Sequence, residues 1–310
     1  MKIKLSLLTC CVLLFCFFII RSLNLCDSSK IDREKLANID DFFIPTIQTA
    51  AEKALYNQLE ALNADAGIAI VMDVETGFTK ALVGKNLAEN DTVETASLFK
   101  VPCMIVALDN GIVSPDDVID VGVGIWEYND LTITDHNADR GGYGTITAGQ
   151  VIAFSSNVGI AKIILKGYEN NPNRLVEGLH KLGFSGIQKD QPVTDYLTLG
   201  YGIKMPVIEI LRFYNSIANG TVKCTPATLE AIRNMLVNVM NEGTGYSAKS
   251  DNVLIAGKTG ALKDAALFCG YFPADSPKYS CIVVIANPKN GYPTSVMAAS
   301  VFKEIAEAIN

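Results

Sequence analysis

Histidine is nearly absent from this chain: His136 and His180 are the only two among 310 residues. That leaves little for a histidine-ligated metal or a serine–histidine–aspartate triad. No C-x-x-C pair occurs, which speaks against a zinc site. No basic run occurs either. With 26 Lys+Arg against 33 Asp+Glu and a net charge of −7, nothing advertises nucleic-acid binding. Internal repeats and low-complexity tracts are missing as well. What the chain has is apolar substance. It is 49% hydrophobic and 19% charged, which supports a sizeable core and excludes a disordered chain. The length allows one large domain or two small ones.

Residues 5 to 20, LSLLTCCVLLFCFFII, form one apolar run, preceded by Lys2 and Lys4 and closed by Arg21. As a helix the run would span roughly 24 Å, short of a hydrocarbon core of about 30 Å. A signal anchor over residues 1–21 is the expectation, because no A-x-A-like cleavage site follows. A lipoprotein anchored at Cys26 is the alternative, weakened by the bulky Leu25 before it. This places the remainder on the outer side of the inner membrane. Cys10, Cys11, Cys16 and Cys26 belong to this segment. Export permits a disulfide among Cys103, Cys224, Cys269 and Cys281. Cys269 and Cys281 flank an expected hairpin, but buried free thiols are the favoured reading.

Residues 22–44 read as a polar linker, and 45–310 as one folded domain. Ile47, Ala51, Ala54, Leu55, Leu59 and Leu62 recur at helical spacing. AGIAIVMD (66–73) and FTKALVG (78–84) then predict a hairpin around Glu75-Thr76-Gly77. Between about 97 and 250 the chain reads mainly as helices and loops. The clearest helical stretches are TAGQVIAFSSNVGIAKIILKGY and PVIEILRFYNSIANG. Strand character returns in 252–260, 265–272 and 279–287, and a helix over 295–309 closes the chain. Sequential strands joined by tight turns predict an α+β fold, with a five-stranded antiparallel sheet flanked by helices and a mainly helical insert.

Three short motifs carry chemistry. Ser97-Leu98-Phe99-Lys100 opens a helix and puts the Lys100 amine on the face of the Ser97 hydroxyl. A serine is a weak nucleophile and needs an adjacent base. A lysine serves once burial or nearby positive charge lowers its pKa. Alone, the tetrapeptide reads equally well as a helix-capping serine beside a solvated lysine. Ser155-Ser156-Asn157 follows inside the insert, offering a hydroxyl relay and an amide for a peptide group. Its bland reading is a polar kink between helices. Lys258-Thr259-Gly260 ends an apolar strand whose backbone can take up an extended peptide. Its bland reading is a strand running into a turn. Asp135-His136-Asn137 reads as loop capping, His180 as a helix-surface residue, and Trp126 and Tyr143 as core or cleft-lining aromatics.

S-x-x-K, a Ser-x-Asn element and K-T-G in this order belong to penicillin-binding proteins and class A β-lactamases. The chain resembles the transpeptidase domain of class B, division-type penicillin-binding proteins over about residues 45–310. The likeness extends to MDVETGFTKALV (72–83), TDHNADRGGYGTIT (134–147), SSNVGIAKIILKGYE (155–169), NEGTG (241–245) and GYFPADSPKYSCIVVI (270–285). The resemblance implies a serine D,D-transpeptidase that cross-links peptidoglycan stem peptides ending in D-Ala-D-Ala and is acylated by β-lactams. It implies Ser97 as nucleophile and Lys100 as base. Ser155 would relay the proton, Lys258 would hold Ser155, and Asn157 would bind the peptide amide. Thr259 would bind the terminal carboxylate beside Gly260, and the backbone N–H groups of Ser97 and Ala261 would form the oxyanion hole. No metal and no cofactor are implied; inner-membrane lipid and cell-division proteins are the implied partners.

Two departures stand out. Ala261 follows K-T-G where the family usually has Thr or Ser, which removes one carboxylate contact. Only residues 21–44 lie where the family places a large non-catalytic module, about 80 Å at full extension. Two enzymatic rivals remain: a class A-like β-lactamase and a D,D-carboxypeptidase. The first lacks its glutamate, since 185–202 offers only Asp190 and Asp195. A degenerate penicillin-binding scaffold or β-lactam sensor is the non-enzymatic alternative.

Overall fold

The computed structural model describes residues 43–187, 199–291 and 294–310. The signal-anchor and linker expectations, Asp190 and Asp195 fall outside the described residues. Residues 42–310 form one compact unit. Among the described residues no helix is long and apolar enough to cross a membrane.

Pro45, fixed at a helical φ, starts α1 (Pro45–Ala61), and Ile47, Ala51, Ala54, Leu55 and Leu59 form its buried stripe. β1 (Ala66–Asp73) and β2 (Thr79–Lys85) make the expected hairpin. The insert follows. It holds β3 (Thr92–Glu94), a 3₁₀ turn (Ala96–Phe99) and α2 (Lys100–Asp109), then β4 (Val118–Gly122), β5 (Ile125–Tyr128), β6 (Leu131–Thr134) and β7 (Gly144–Thr147). Helices α3 (Ala148–Ala153), α4 (Asn157–Gly167) and α5 (Pro172–Lys181) come next. β8 (Lys204–Pro206), α6 (Val207–Asn219) and α7 (Pro226–Asn241) complete the insert. The chain then lays down β9 (Ala256–Ala261), β10 (Ala265–Phe272) and β11 (Tyr279–Ala286) and ends in α8 (Thr294–Ile309).

The sheet has five antiparallel strands in the order β2-β1-β11-β10-β9. Its central strands are apolar along their whole length because both faces are covered. Phe268 and Phe272 of β10 meet Phe302 of α8, with ring centroids 4.7 and 5.5 Å apart. On the opposite face, Ser280 of β11 donates to Asn215 of α6 at 2.7 Å. Register also settles the cysteines. Cys269 lies opposite Ile282, and Cys281 opposite Gly270. The two thiols therefore point to opposite faces of the sheet and are not bridged to each other, and Cys224, Cys269 and Cys281 are free.

Two expectations are refined. The mainly helical insert also carries the two-stranded ladders β4–β7 and β5–β6, and a third, β3–β8, pairs it with the segment before Ser97. The helical stretch 147–168 divides into α3 and α4 at the Ser155–Asn157 kink. Thr147 and Gln150 build a capping box that starts α3. Ser155 then turns left-handed at φ +57°, and Ser156 caps α4 by accepting from the Gly159 N–H at 2.8 Å.

Candidate active site

The turn that bears Ser97, the candidate nucleophile, is held from several sides. Ser97 sits in the 3₁₀ turn Ala96–Phe99 and Lys100 follows as its cap and opens α2, a spacing that brings positions i and i+3 to one face. Thr95 ties the turn to the loop before β8: its N–H donates to Ile203 O at 2.8 Å and its hydroxyl to Gly200 O at 3.3 Å. Tyr214 of α6 donates to Leu98 O at 3.1 Å. Ala96, just before the serine, adopts φ +46°, a left-handed conformation that costs an alanine about 1–2 kcal/mol. Strain of this kind persists where the surroundings over-determine it.

Lys100 is fully buried at the start of α2. Its Nζ donates to Ser155 O and to Asn157 Oδ1, both at 2.6 Å, and lies 3.3 Å from Ser155 Oγ. The two short contacts use both N–H bonds of a neutral amine and leave its lone pair. Burial pushes its pKa down to about 7, opposed by the Asp135 carboxylate. Lys258 of β9 is equally buried. Its Nζ donates to Ser155 Oγ at 2.9 Å and to Thr259 O at 3.1 Å. Burial, and then the charge of Lys100, push its pKa well below the ordinary lysine value. One serine hydroxyl, Ser155 Oγ, thus lies between two buried amines.

The sequence-derived residues converge from three distant segments. Ser155 is buried and Asn157 half-buried at the N-terminus of α4. Asn157 Nδ2 donates to Thr134 O at 2.7 Å, which fixes its Oδ1 on Lys100. Thr259 is buried, its hydroxyl 2.6 Å from that of Thr244. A side chain on Gly260 would meet Leu267, Leu98 and the Thr95 carbonyl at 3.2–3.5 Å. The missing side chain thus lets β9 pack closely on the nucleophile turn. Ala261 is exposed at the end of β9, on the unpaired edge of the sheet. Tyr143 stacks on Phe154 with centroids 4.8 Å apart, and its hydroxyl lies 3.0 Å from His136 Nε2. Trp126 sits elsewhere, against the later turns of α4, with the Lys162 and Lys166 ammonium groups 5.6 and 5.5 Å from its ring. His180 is half-buried beside Ile187 O.

Two residues escaped the sequence reading. Thr244 entered it only as part of NEGTG, without a role. Asp135, read as loop capping, is buried against the turn of Ser156 and accepts its hydroxyl at 2.9 Å. The one available signal was position: Asp135 directly follows the alternating strand β6. Among the described residues no group of His, Cys, Asp and Glu is arranged to hold a metal.

Comparison with known proteins agrees with this geometry. Residues 67–307 match the family model described as the penicillin binding protein transpeptidase domain. The chain is 25% identical to a probable peptidoglycan D,D-transpeptidase, PenA, of Neisseria flavescens, covering 84% of this chain and 78% of that one. It is also 25% identical to the peptidoglycan D,D-transpeptidase FtsI of Buchnera aphidicola, covering 85% of this chain but 56% of the relative's length. Its fold overlays the apo TP domain of Burkholderia pseudomallei penicillin-binding protein 3 with a TM-score of 0.73 at 25% identity. That match covers 86% of this chain and 94% of the other. The motifs, the sheet and the family match agree: the chain belongs to the transpeptidase domains of penicillin-binding proteins, of the class B type.

Proposed function

We propose that the chain is a serine D,D-transpeptidase that joins peptidoglycan stem peptides and is covalently blocked by β-lactams. The observation that carries this reading is the Ser155 hydroxyl between the Lys100 and Lys258 amines, beside the turn that bears Ser97. Ser97 Oγ attacks the carbonyl carbon of the penultimate D-Ala, and its proton passes to neutral Lys100 Nζ. The backbone N–H groups of Ser97 and Ala261 stabilise the oxyanion. Ser155 hands a proton to the departing nitrogen, the C–N bond breaks, and D-Ala leaves an ester on Ser97. An amine of a second stem peptide attacks the ester. It loses its proton to the same relay and restores the serine. Lys258 holds Ser155 and Asn157 the donor peptide's amide; Thr259 holds its carboxylate. The apolar run 5–20 supports a membrane anchor with this domain on the periplasmic side. The division-type relatives support a place in a cell-wall complex.

Labelling with a fluorescent penicillin tests the reading. The wild type is expected to take up one label per chain and Ser97→Ala none, with its thermal midpoint kept. An unlabelled wild type would overturn it. Incubation with a D-Ala-D-Ala donor and an amine acceptor should give the cross-linked product; free acid alone would mean a carboxypeptidase.

A further inference from the structure

Asp135 has no part in the reaction just described, yet it is the buried carboxylate closest in function to the two lysines. It is 2% exposed. It follows β6, and the strand end grips α4 at three consecutive positions. Thr134 O accepts from Asn157 Nδ2 at 2.7 Å. Asp135 Oδ2 accepts from the Ser156 hydroxyl at 2.9 Å, and Oδ1 from the Val158 N–H at 3.0 Å. Ser156 in turn accepts from the Gly159 N–H. This grip begins directly after Ser155, whose left-handed backbone needs support from its surroundings. It also brackets Asn157, whose amide touches Lys100.

Resting on the transpeptidase reading, we infer that Asp135 is a positioning residue for acylation. Its carboxylate locks the Ser155–Asn157 turn onto Lys100 and supplies the negative charge that lets the two buried lysines share a proton. A carboxylate fits both tasks, because it accepts several N–H and O–H donors at once while carrying charge. The charged or titratable groups in electrostatic range are few. Lys258 faces Lys100 from β9, His136 and Arg140 follow Asp135 on its own segment, and Tyr143 lies beside His136. Asp135 is the only acid among them in the described residues.

The signs follow. Lys100 acts as a neutral base, so acylation falls as pH drops through about 7. Asp135 opposes the loss of the Lys100 proton. Removing its charge should move this acidic limb to lower pH.

The test is the second-order rate of acylation by a fluorescent penicillin, measured on the full chain from pH 5 to pH 9. Asp135→Asn is expected to shift the acidic limb to lower pH and to slow acylation by about tenfold or more at its plateau. Asp135→Glu, which keeps the charge, should leave the limb in place while slowing the rate. Ser156→Ala removes the hydroxyl link but not the carboxylate, and should slow acylation about tenfold without moving the limb. A limb of Asp135→Asn that superimposes on the wild type after scaling would overturn the electrostatic role. If Asp135→Asn does not fold, an unslowed Ser156→Ala overturns the positioning role. Failure of the wild type itself to acylate would instead sink the transpeptidase reading, so the two failures are distinguishable.

Discussion

Ala261 shows how much a single methyl-for-hydroxyl exchange can say. It is exposed at the end of β9, where the sheet has no further strand. Its backbone N–H is unchanged by the side chain, so the proposed oxyanion hole keeps this donor. The lost hydroxyl is a missing donor to the substrate or β-lactam carboxylate, worth about 1.5–3 kcal/mol when the acceptor is charged. Thr259 remains, but its hydroxyl is engaged with that of Thr244. Ala261→Thr is therefore expected to speed acylation, above all by cephalosporins, by about tenfold or more. Stopped-flow acylation of the two forms checks this, and equal rates would remove the carboxylate contact from the account.

Among the elements, the nucleophile turn depends on a loop more than a hundred residues later in the chain. Gly200 has φ +78°, and a Cβ placed there would come within 2.1 Å of the Ala96 carbonyl. Only glycine allows this approach. Gly200→Ala should displace the turn that carries Ser97, lower the thermal midpoint by several degrees and slow acylation by more than tenfold. Retained acylation with only a lowered midpoint would show that the turn keeps its shape without the brace. This brace was not legible in the sequence, since Gly200 lies in an unpatterned stretch and its partner is a backbone atom. Strands β1, β10 and β11 were legible, because strands buried on both faces read as unbroken apolar runs. The ladders β3–β8, β4–β7 and β5–β6 were not, being only three to five residues a strand. The break at Ser155 was legible as a polar kink between helices, although the apolar spacing continues from Val151 and Ile152 to Val158 and Ile160. Ser156 marks the second helix start as its cap. The three catalytic motifs were readable as types, but Asp135 was not. Its meaning comes from a serine 21 positions later that only the fold brings near.

At the scale of the whole molecule, the site is built on one side of a sheet whose other side is closed by α8. Phe302 is fully buried there between Phe268 and Phe272. Phe302→Ala should destabilise the domain by about 3–5 kcal/mol, read as a shift of the urea midpoint. Below that midpoint the folded fraction should still label, because Phe302 lies on the face away from Lys258. A shift under about 1 kcal/mol would mean that α8 closes the core without this side chain.

The order of the strands sets a schedule for making the enzyme. Ala66 pairs with Ala286, and Asp73 with Tyr279, so the first strand of the sheet to be made by the ribosome is joined by the last. At about 5–20 residues per second, the hairpin β1–β2 waits roughly 10–40 s with an apolar flank and an open edge. Loop closure over such a separation is slow, and a waiting edge invites wrong partners. A newly made chain therefore needs shielding for most of its synthesis. Uptake of a labelled penicillin, which requires residues 97, 155 and 258 in one place, times the end of that wait.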